Sequence, residues 1–307
     1  MLRARASVVV ALALVLGAGC PRRTETPPAV AEGASCPTFR DPEVIGRSPS
    51  VLREISGVVA SRRQPGVLWV HNDSGAGPEI HALGLDGALL ADGEVVGAQA
   101  VDWEDIALGP GPEPGRDYLY IADIGDNQRR RSSVVIYRIP EPEVGSGAGL
   151  RLRSEPAVAT TLRYDRGAEN AEALLVDPLD GALYVISKRV GAAALYAVDG
   201  DALVRQAAVD AGSGALVTAA DFSRDGRWIA LRTYNAAYLW PRPAGRSIAE
   251  ALGEAPCVIK AAREGQGEAI GFTADDAALI TISEAKEGDD GVPIYRLAFQ
   301  SGGPDKT

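Results

Sequence analysis

The feature that most constrains the fold is a motif that recurs along the chain: an acidic residue, a short apolar run and a turn. It occurs as EISGVVAS, EDIALGP, EALLVDP, DFSRDGR and EAIGFTAD, beginning at residues 54, 104, 172, 221 and 268. Two further apolar runs follow each copy. A repeat of about 40 to 50 residues that holds about four strands is typical of a β-propeller. The sequence therefore predicts an all-β chain, with only residues 247–252 able to form a short helical turn.

The number of copies predicts five blades. Fourth strands are expected at residues 89–96, 159–164, 203–209 and 257–261, whereas the fifth copy ends after its third strand. Residues 37–47 supply the missing strand, so an N-terminal strand closes the ring and leaves no sheet edge open. A Gly-rich insertion lengthens the second copy, and six blades are the alternative if residues 141–156 hide further strands.

The N-terminal residues have the pattern of a targeting segment. Residues 1–20 combine two arginines, an apolar run at residues 8–16 that is too short to span a bilayer, and the sequence GAGC. This pattern resembles a bacterial lipoprotein signal, which implies lipidation of Cys20. Gly17 stands where such signals usually have Leu, so ordinary secretory cleavage is the alternative.

The remaining chain divides into a flexible tether at residues 21–35, rich in Pro and Ala, and a propeller at residues 36–303. We expect the protein in the bacterial cell envelope, as an outer-membrane lipoprotein or a periplasmic or secreted protein. The membrane would be contacted only through the lipid anchor.

Two cysteines remain once Cys20 is assigned to the signal. In an exported protein an even pair favours a disulfide, here between Cys36 and Cys257. Cys36 would begin the closing strand and Cys257 would open the outer strand of the adjacent blade, so the bridge would clamp the ring. With two histidines and no CxxC motif, a His- or Cys-based metal site is disfavoured.

The recurring acids are the candidate metal ligands. In a propeller the start of each innermost strand and the end of the second strand share a face, so the motif acids should ring one mouth of the central channel. Two carboxylates about 4 Å apart repel by roughly 4 kcal/mol at an effective dielectric of 20, so the ring needs a cation, protons or basic partners. Calcium, with many oxygen ligands and irregular geometry, suits such a ring. The predicted ligands are Glu54, Glu104, Glu172, Asp221 and Glu268.

Two other roles for these acids stay open. They can accept hydrogen bonds from backbone amides of the neighbouring blade and only lock the ring, or they can take part directly in catalysis.

The ends of the second strands supply a candidate ligand site at the same mouth. Lys188, Arg232 and Tyr234 are placed to clamp a phosphate or carboxylate, or else serve only as counter-charges to the acids. A net charge of -10 disfavours nucleic acid and anionic membranes as partners, and a monomer that binds a small anionic ligand or an envelope protein is expected. The predicted ligand-binding residues are Asp73, Asp123, Asp126, Lys188, Arg232, Tyr234 and Glu284.

The sequence lacks the motifs of several enzyme classes. It contains no G-x-S-x-G motif, no phosphate-binding loop and no dinucleotide fingerprint.

The segments EISGV, NDSG, DWEDIA, YIADIGDN, NAEALL, LRTY and GEAI, spread over about residues 52–285, resemble a group of uncharacterised bacterial secreted or lipid-anchored β-propeller proteins. More loosely, the chain resembles calcium-dependent nucleotidases (apyrases) and the SdiA-regulated and esterase-like phytase propellers. The apyrase resemblance implies calcium in the central channel and hydrolysis of nucleoside diphosphates. Only Glu104, Glu172 and Glu268 match the calcium ligands of that pattern, and Asp221 stands where the pattern tends to have serine.

The sequence thus predicts an exported, lipid-anchored propeller with a central calcium site, acting as a binding or scaffold module. The alternative is a calcium-dependent phosphohydrolase in which Lys188 and Arg232 stabilise developing charge. A third possibility is an inert envelope protein whose acids are structural.

Overall fold

Short buried runs bounded by turns form the strands, as the pattern of apolar residues predicts. The computed structural model describes residues 36–73, 75–147, 149–212 and 215–300, so the predicted signal segment, the tether and Cys20 lie outside the described residues. In chain order the elements are β1 (Glu43–Arg47), β2 (Ile55–Ala60), β3 (Val67–Asn72), β4 (Glu79–Gly84), β5 (Leu89–Glu94), β6 (Trp103–Pro110), β7 (Asp117–Asp123), β8 (Val134–Pro140), β9 (Leu150–Arg153), β10 (Val158–Tyr164), β11 (Ala171–Val176), β12 (Leu183–Ser187), β13 (Ala193–Asp199), β14 (Ala202–Val209), β15 (Val217–Phe222), β16 (Trp228–Thr233), β17 (Ala237–Pro241), α1 (Ile248–Leu252), β18 (Cys257–Ile259), β19 (Gly267–Phe272), β20 (Ala278–Ser283) and β21 (Pro293–Ala298).

Strand pairing groups the described residues into antiparallel units of four strands. The units are β2–β5, β6–β8 with β10, β11–β14, β15–β18, and β19–β21 with β1. The innermost strands β2, β6, β11, β15 and β19 contact one another in that order, and β19 contacts β2 again. This closed ring of radially arranged sheets is a β-propeller, and the predicted all-β fold class is confirmed.

The N-terminal strand closes the ring as the sequence predicts. Strand β1 pairs antiparallel with β21 and so completes the unit that begins with β19. Phe39 forms an isolated bridge with Phe299, and their ring centroids lie 4.5 Å apart. Both ends of the propeller therefore lie in one sheet, which removes the edge that a last unit of three strands would expose.

A disulfide joins Cys36 to Cys257, with their Cα atoms 5.4 Å apart, as predicted. Cys257 begins β18, the outer strand of the unit beside the closing one. The bridge therefore ties the chain just before the closing strand to the neighbouring unit.

The insertion in the second unit adds strand pairing around the outside of the ring. Strand β9 pairs in parallel with β5, and β10 pairs in parallel with β14. In the described part of the chain, the insertion therefore extends the first unit by one edge strand and forms no further unit. The outer edges of the first three units are joined to one another.

The apolar core is divided among the interfaces between neighbouring units. Trp69 and Trp103 are buried between the first two units, and Trp240 is buried between the third and the fourth. Each indole N–H has an acceptor: the Glu141 carboxylate at 2.9 Å, the Gln99 carbonyl at 2.8 Å and the Glu254 carbonyl at 2.9 Å, respectively. These three tryptophans thus fill the interfaces without leaving a buried indole N–H unpaired.

Helix α1 begins where the sequence allows a helical turn. Ser247 caps it by accepting a hydrogen bond from the Glu250 amide, and the Glu250 carboxylate accepts one from the Ser247 amide. None of the helices that the structure describes has the length and apolar character needed to cross a bilayer.

We predict that loss of the disulfide destabilises the ring. Cys36 and Cys257 are separated by 221 positions in the sequence, and loop-closure entropy gives an upper value of roughly 5.5 kcal/mol for a crosslink of this span. The C36S/C257S variant should therefore unfold at lower urea concentration than the oxidised parent. Adding reductant should lower the midpoint of the parent and leave that of the variant unchanged; equal midpoints for the two oxidised proteins would contradict the prediction.

Candidate functional site

The same irregularity occurs at the start of every innermost strand. In each strand the register with its neighbour shifts at the second residue, which marks a β-bulge. A bulge bends the strand and redirects a side chain. The five bulge residues are polar and occupy equivalent positions around the channel: Ser56, Glu104, Glu172, Thr218 and Glu268.

Two of the five bulge residues fasten neighbouring units together. The Ser56 hydroxyl donates to the Glu104 carbonyl oxygen at 2.6 Å, and the Thr218 hydroxyl donates to the Gly267 carbonyl oxygen at 3.0 Å. Each hydroxyl therefore links an innermost strand to the innermost strand of the following unit. Three glutamates remain at this level of the ring, Glu104, Glu172 and Glu268.

Glu104 lies in a cluster of acids. Asp73 follows β3, Asp102 precedes β6, and one ligand atom from each of Asp73, Asp102 and Glu104 lies within 4.8 Å of the others. Burial raises the pKa of Glu104 well above its usual range, and the charges of Glu172, Asp73 and Asp102 raise it further. Burial and the charge of Glu172 also raise the pKa of Asp102. These carboxyl groups would be stabilised by a cation between them.

The DIGDN segment after β7 closes over this cluster. A Cβ atom on Gly125 would lie 2.0 Å from Glu104 Oε1 and 2.4 Å from Asp102 Oδ2, so a larger residue there would displace these carboxylates. Asp123 accepts hydrogen bonds from the Val101 and Asp102 amides at 3.3 and 3.1 Å. The segment therefore fixes the position of Asp102.

Arg131 neutralises the acids of the same segment. Its guanidinium lies 2.7 Å from an Asp123 carboxylate oxygen, and its amide donates to Asp126 at 2.6 Å. Asp123 and Asp126, both predicted to bind a ligand, thus have structural partners within their own loop.

Glu172 is paired with the central lysine. Lys188 Nζ donates to Glu172 Oε2 at 2.8 Å, and Asn170 donates to Glu172 Oε1 at 3.1 Å. Lys188 Nζ also lies 4.6 Å from the centroid of the Tyr234 ring, a cation–π contact. Burial lowers the pKa of Lys188, but Glu172, Tyr234 and Glu268 outweigh it and the net direction is upward. Lys188 is therefore a permanent positive charge among the acids.

Glu268 also interacts with Lys188, through its charge. The Gln266 amide donates to Glu268 Oε1 at 2.9 Å and to Glu284 Oε2 at 2.6 Å. Glu268 Oε2 is buried and has no hydrogen-bond partner among the described residues. Burial raises the pKa of Glu268 to about 8, against the lowering effects of Gln266 and Lys188. At neutral pH this side chain is mainly a neutral carboxylic acid.

We call the group formed by Asp73, Asp102, Glu104, Glu172, Lys188, Tyr234, Glu268 and Glu284 the acidic mouth. The sequence predicted all of these residues except Asp102. The repeat motif does not point to Asp102, because this residue precedes the repeat and occupies a loop. Its place beside Trp103 and Glu104 in VDWED is nevertheless a local cluster of acids that the sequence shows.

Two predicted residues differ from the expectation in strand position or burial. Glu54 is exposed and precedes its strand, and Ser56 occupies the bulge position. Arg232 is buried and donates to Glu264 at 2.6 Å, with Nε and Nη1 lacking partners in the described chain. Burial lowers the pKa of Arg232.

The predicted position of Asp221 requires a correction. It lies near the end of β15, away from the acidic mouth, and Thr218 occupies the equivalent bulge position. Its two carboxylate oxygens accept the Phe222 and Phe272 amides, each at 2.8 Å. The motif does not reveal where the bulge lies, so an alignment of the copies by their acids places this strand three residues out of register with the other innermost strands.

Asp105 has a comparable structural role that the sequence did not reveal. It is fully buried, and its carboxylate accepts the amides of Ile106 at 2.9 Å, Leu174 at 2.9 Å and Ala220 at 3.3 Å. These amides belong to three innermost strands, whose edges toward the channel have no neighbouring strand. Asp105 therefore connects three units across the channel, the ring-locking role considered above for the motif acids.

Comparisons with known proteins identify no family for this chain. No protein-family model matches the chain, and no curated protein matches it. Among solved structures it is similar to a luciferin-regenerating enzyme, with 11% identity and a TM-score of 0.47 over 86% of this chain and 96% of that one. It is also similar to the RRP9 WD40 repeats, with 9% identity and a TM-score of 0.48 over 87% and 99% of the two chains.

We predict that Glu268 makes the metal-free protein less stable as pH rises. Its pKa is about 8 in the folded protein and about 4.5 when unfolded, so the folded state binds more protons between these values. The stability that protonation supplies is complete below about pH 4.5 and is lost as pH approaches and passes 8.

Urea unfolding of the parent and the Glu268→Gln variant in EGTA, from pH 5 to 8.5, tests this. The parent should lose stability relative to the variant by up to about 1.4 kcal/mol per pH unit. Parallel stability curves would show that Glu268 titrates normally.

We predict that Asp105→Asn destabilises the protein at pH 7 by about 1 to 3 kcal/mol, because the amide group keeps only one of the two acceptor oxygens for three buried N–H groups. Denaturant unfolding measures the loss. Asp117→Asn, at the partly exposed start of β7, is the control and should change stability little. Equal effects of the two substitutions would contradict the linking role of Asp105.

Proposed function

We propose that this chain is an exported β-propeller that binds a calcium ion at the acidic mouth and uses it as part of a ligand-binding module. The observation that supports this most directly is the convergence of Asp73, Asp102 and Glu104, whose ligand atoms lie within 4.8 Å of one another. Calcium would relieve the repulsion that raises the pKa of Glu104.

The chemistry of the donor set fits calcium. All three groups are carboxylates, and calcium takes six to eight oxygen ligands in flexible geometry. Glu104 is buried, whereas Asp73 and Asp102 are partly exposed, so an ion held here would keep positions open toward solvent. Those positions would accept water or an oxygen of a ligand.

The surroundings of the cluster support an anionic ligand. Lys188 lies beside Glu172 and Tyr234, and it is close enough to Glu104 to lower the pKa of that residue. A phosphate or carboxylate that bridges the calcium and the ammonium group would be held by two positive charges. Export and lipidation of Cys20 are supported by the sequence pattern alone.

The same arrangement supports a second candidate, a calcium-dependent phosphohydrolase. Bound calcium would supply Lewis acidity toward a phosphoryl oxygen. Lys188 would hold and stabilise the developing negative charge on phosphate, and the buried acid Glu268 is a group that can donate a proton. Release of phosphate from nucleotides or inositol phosphates, lost in chelator and in Glu172→Gln, would favour this candidate over a binding module.

We predict that calcium stabilises the disulfide-intact protein. At 100 times its dissociation constant, calcium should add about 2.7 kcal/mol, or roughly 5 °C in a thermal melt relative to EGTA. Asp102→Asn and Glu104→Gln should each abolish most of this shift, since both remove a ligand. Asp221→Asn serves as the control, because Asp221 lies away from the mouth, and its calcium affinity measured by calorimetry should equal that of the parent.

The outcomes separate three interpretations. A shift lost in Glu104→Gln and kept in Asp221→Asn supports the calcium site. A shift lost in both variants points to a general effect on stability. No shift in metal-free protein would leave the acids with a structural role, as expected for an inert envelope protein.

A further inference from the structure

A pocket lies at the end of the channel opposite the acidic mouth. The last residues of β2, β15 and β19 contribute to it, together with the turns that follow these strands. Its charged lining consists of Arg62, Asp221, Arg224 and Asp276. It is therefore formed by three different units and is separate from the proposed calcium site.

The acids of this pocket already have hydrogen-bond donors. Both oxygens of Asp221 accept backbone amides, as described above. Asp276 accepts the Arg224 amide with both oxygens, at 3.0 and 3.1 Å. The nearby Asp225 accepts the Ser223 hydroxyl at 2.7 Å and the Arg227 amide at 3.0 Å. These carboxylates are thus committed to holding the turns in shape.

The two arginines have no such commitment. In the described part of the chain, neither the Arg62 nor the Arg224 guanidinium forms a hydrogen bond or a close ion pair; Arg62 acts on Asp221 and Asp276, and Arg224 on Asp276, only through longer-range charge. Arg62 is partly buried and Arg224 is exposed. In the part of the chain that the structure describes, the carboxylates of the pocket are therefore used within the protein, whereas its two guanidinium groups are not.

We propose that this pocket binds an oxyanion group, a carboxylate or a phosphate, through Arg62 and Arg224. A guanidinium group offers several N–H donors in a planar fork that matches such groups, and two of them on different units can hold one anion from two sides. The site needs no metal and does not depend on the function proposed for the acidic mouth.

The charge balance of the pocket supports this assignment. Burial raises the pKa of Asp221 to about 7, although Arg62 and the Phe272 amide act in the opposite direction. Burial also raises the pKa of Asp276. Near neutral pH, Asp221 carries only part of its negative charge, whereas Arg62 and Arg224 remain fully charged. The lining thus sets two guanidinium groups against two carboxyl groups that both accept backbone amides.

The experiment titrates the full-length, disulfide-intact protein in EGTA with inorganic phosphate, and separately with acetate, at constant ionic strength. Calorimetry should show saturable binding of one anion per chain. Arg62→Gln and Arg224→Gln should each weaken this binding about tenfold or more, since each removes charge-assisted hydrogen bonds. Arg62→Lys should also weaken binding, because it keeps the charge and loses the planar fork.

Two control variants make the test specific. Arg63→Gln removes the adjacent exposed arginine, which does not line the pocket, and should leave affinity unchanged. Lys188→Gln tests whether the anion binds at the acidic mouth instead, and loss of binding in this variant would also overturn the proposal. Tighter binding of phosphate than acetate assigns a phosphate group, and the reverse order assigns a carboxylate. No saturable binding of either anion, or equal weakening in Arg63→Gln, would overturn the proposal.

Discussion

The ring depends on how the free edges of its innermost strands are satisfied. In each unit the first strand pairs on one side only, so its other edge turns backbone amides toward the channel. This protein meets that requirement with side chains. Asp105 serves amides of three units, Asp221 serves amides of two, and the hydroxyls of Ser56 and Thr218 link further pairs of neighbouring strands. Unsymmetrical side chains thus hold together a nearly symmetrical backbone.

The acidic mouth is a consequence of that asymmetry. The same bulge that presents a hydroxyl to the next unit in two copies carries a glutamate in the other three. Lys188 balances only part of the charge, because it is hydrogen-bonded to Glu172 while Glu104 faces Asp73 and Asp102. The equivalent bulge positions therefore have two roles: two of them link neighbouring units, and three contribute to the acidic mouth.

The sequence predicts the fold well because the fold is set by periodicity. Repeat length, strand spacing and an incomplete last copy were enough to place the closing strand and the Cys36–Cys257 bridge. The sequence predicts the register within a strand less well, because an acid before an apolar run and an acid at its end give the same local pattern. The motif therefore places Asp221 at the mouth, and it does not predict the linking role of Asp105, because only the bulge lets Glu104 and the adjacent Asp105 both turn toward the channel. Arg62 and Arg224 line the same pocket although their turns are distant in sequence, and no local pattern predicts this.

The outer strand pairings divide the ring mechanically. Strands β9 and β10 join the first three units into one continuous arc, and the disulfide joins the other two. Among the described residues, no strand pairing crosses either seam between the arcs. Asp73, Asp102 and Glu104 all belong to the larger arc, whereas the contact of Lys188 with Tyr234 spans a seam. A small hinge motion between the two arcs would therefore move Tyr234 relative to Lys188 and leave the three carboxylates in place.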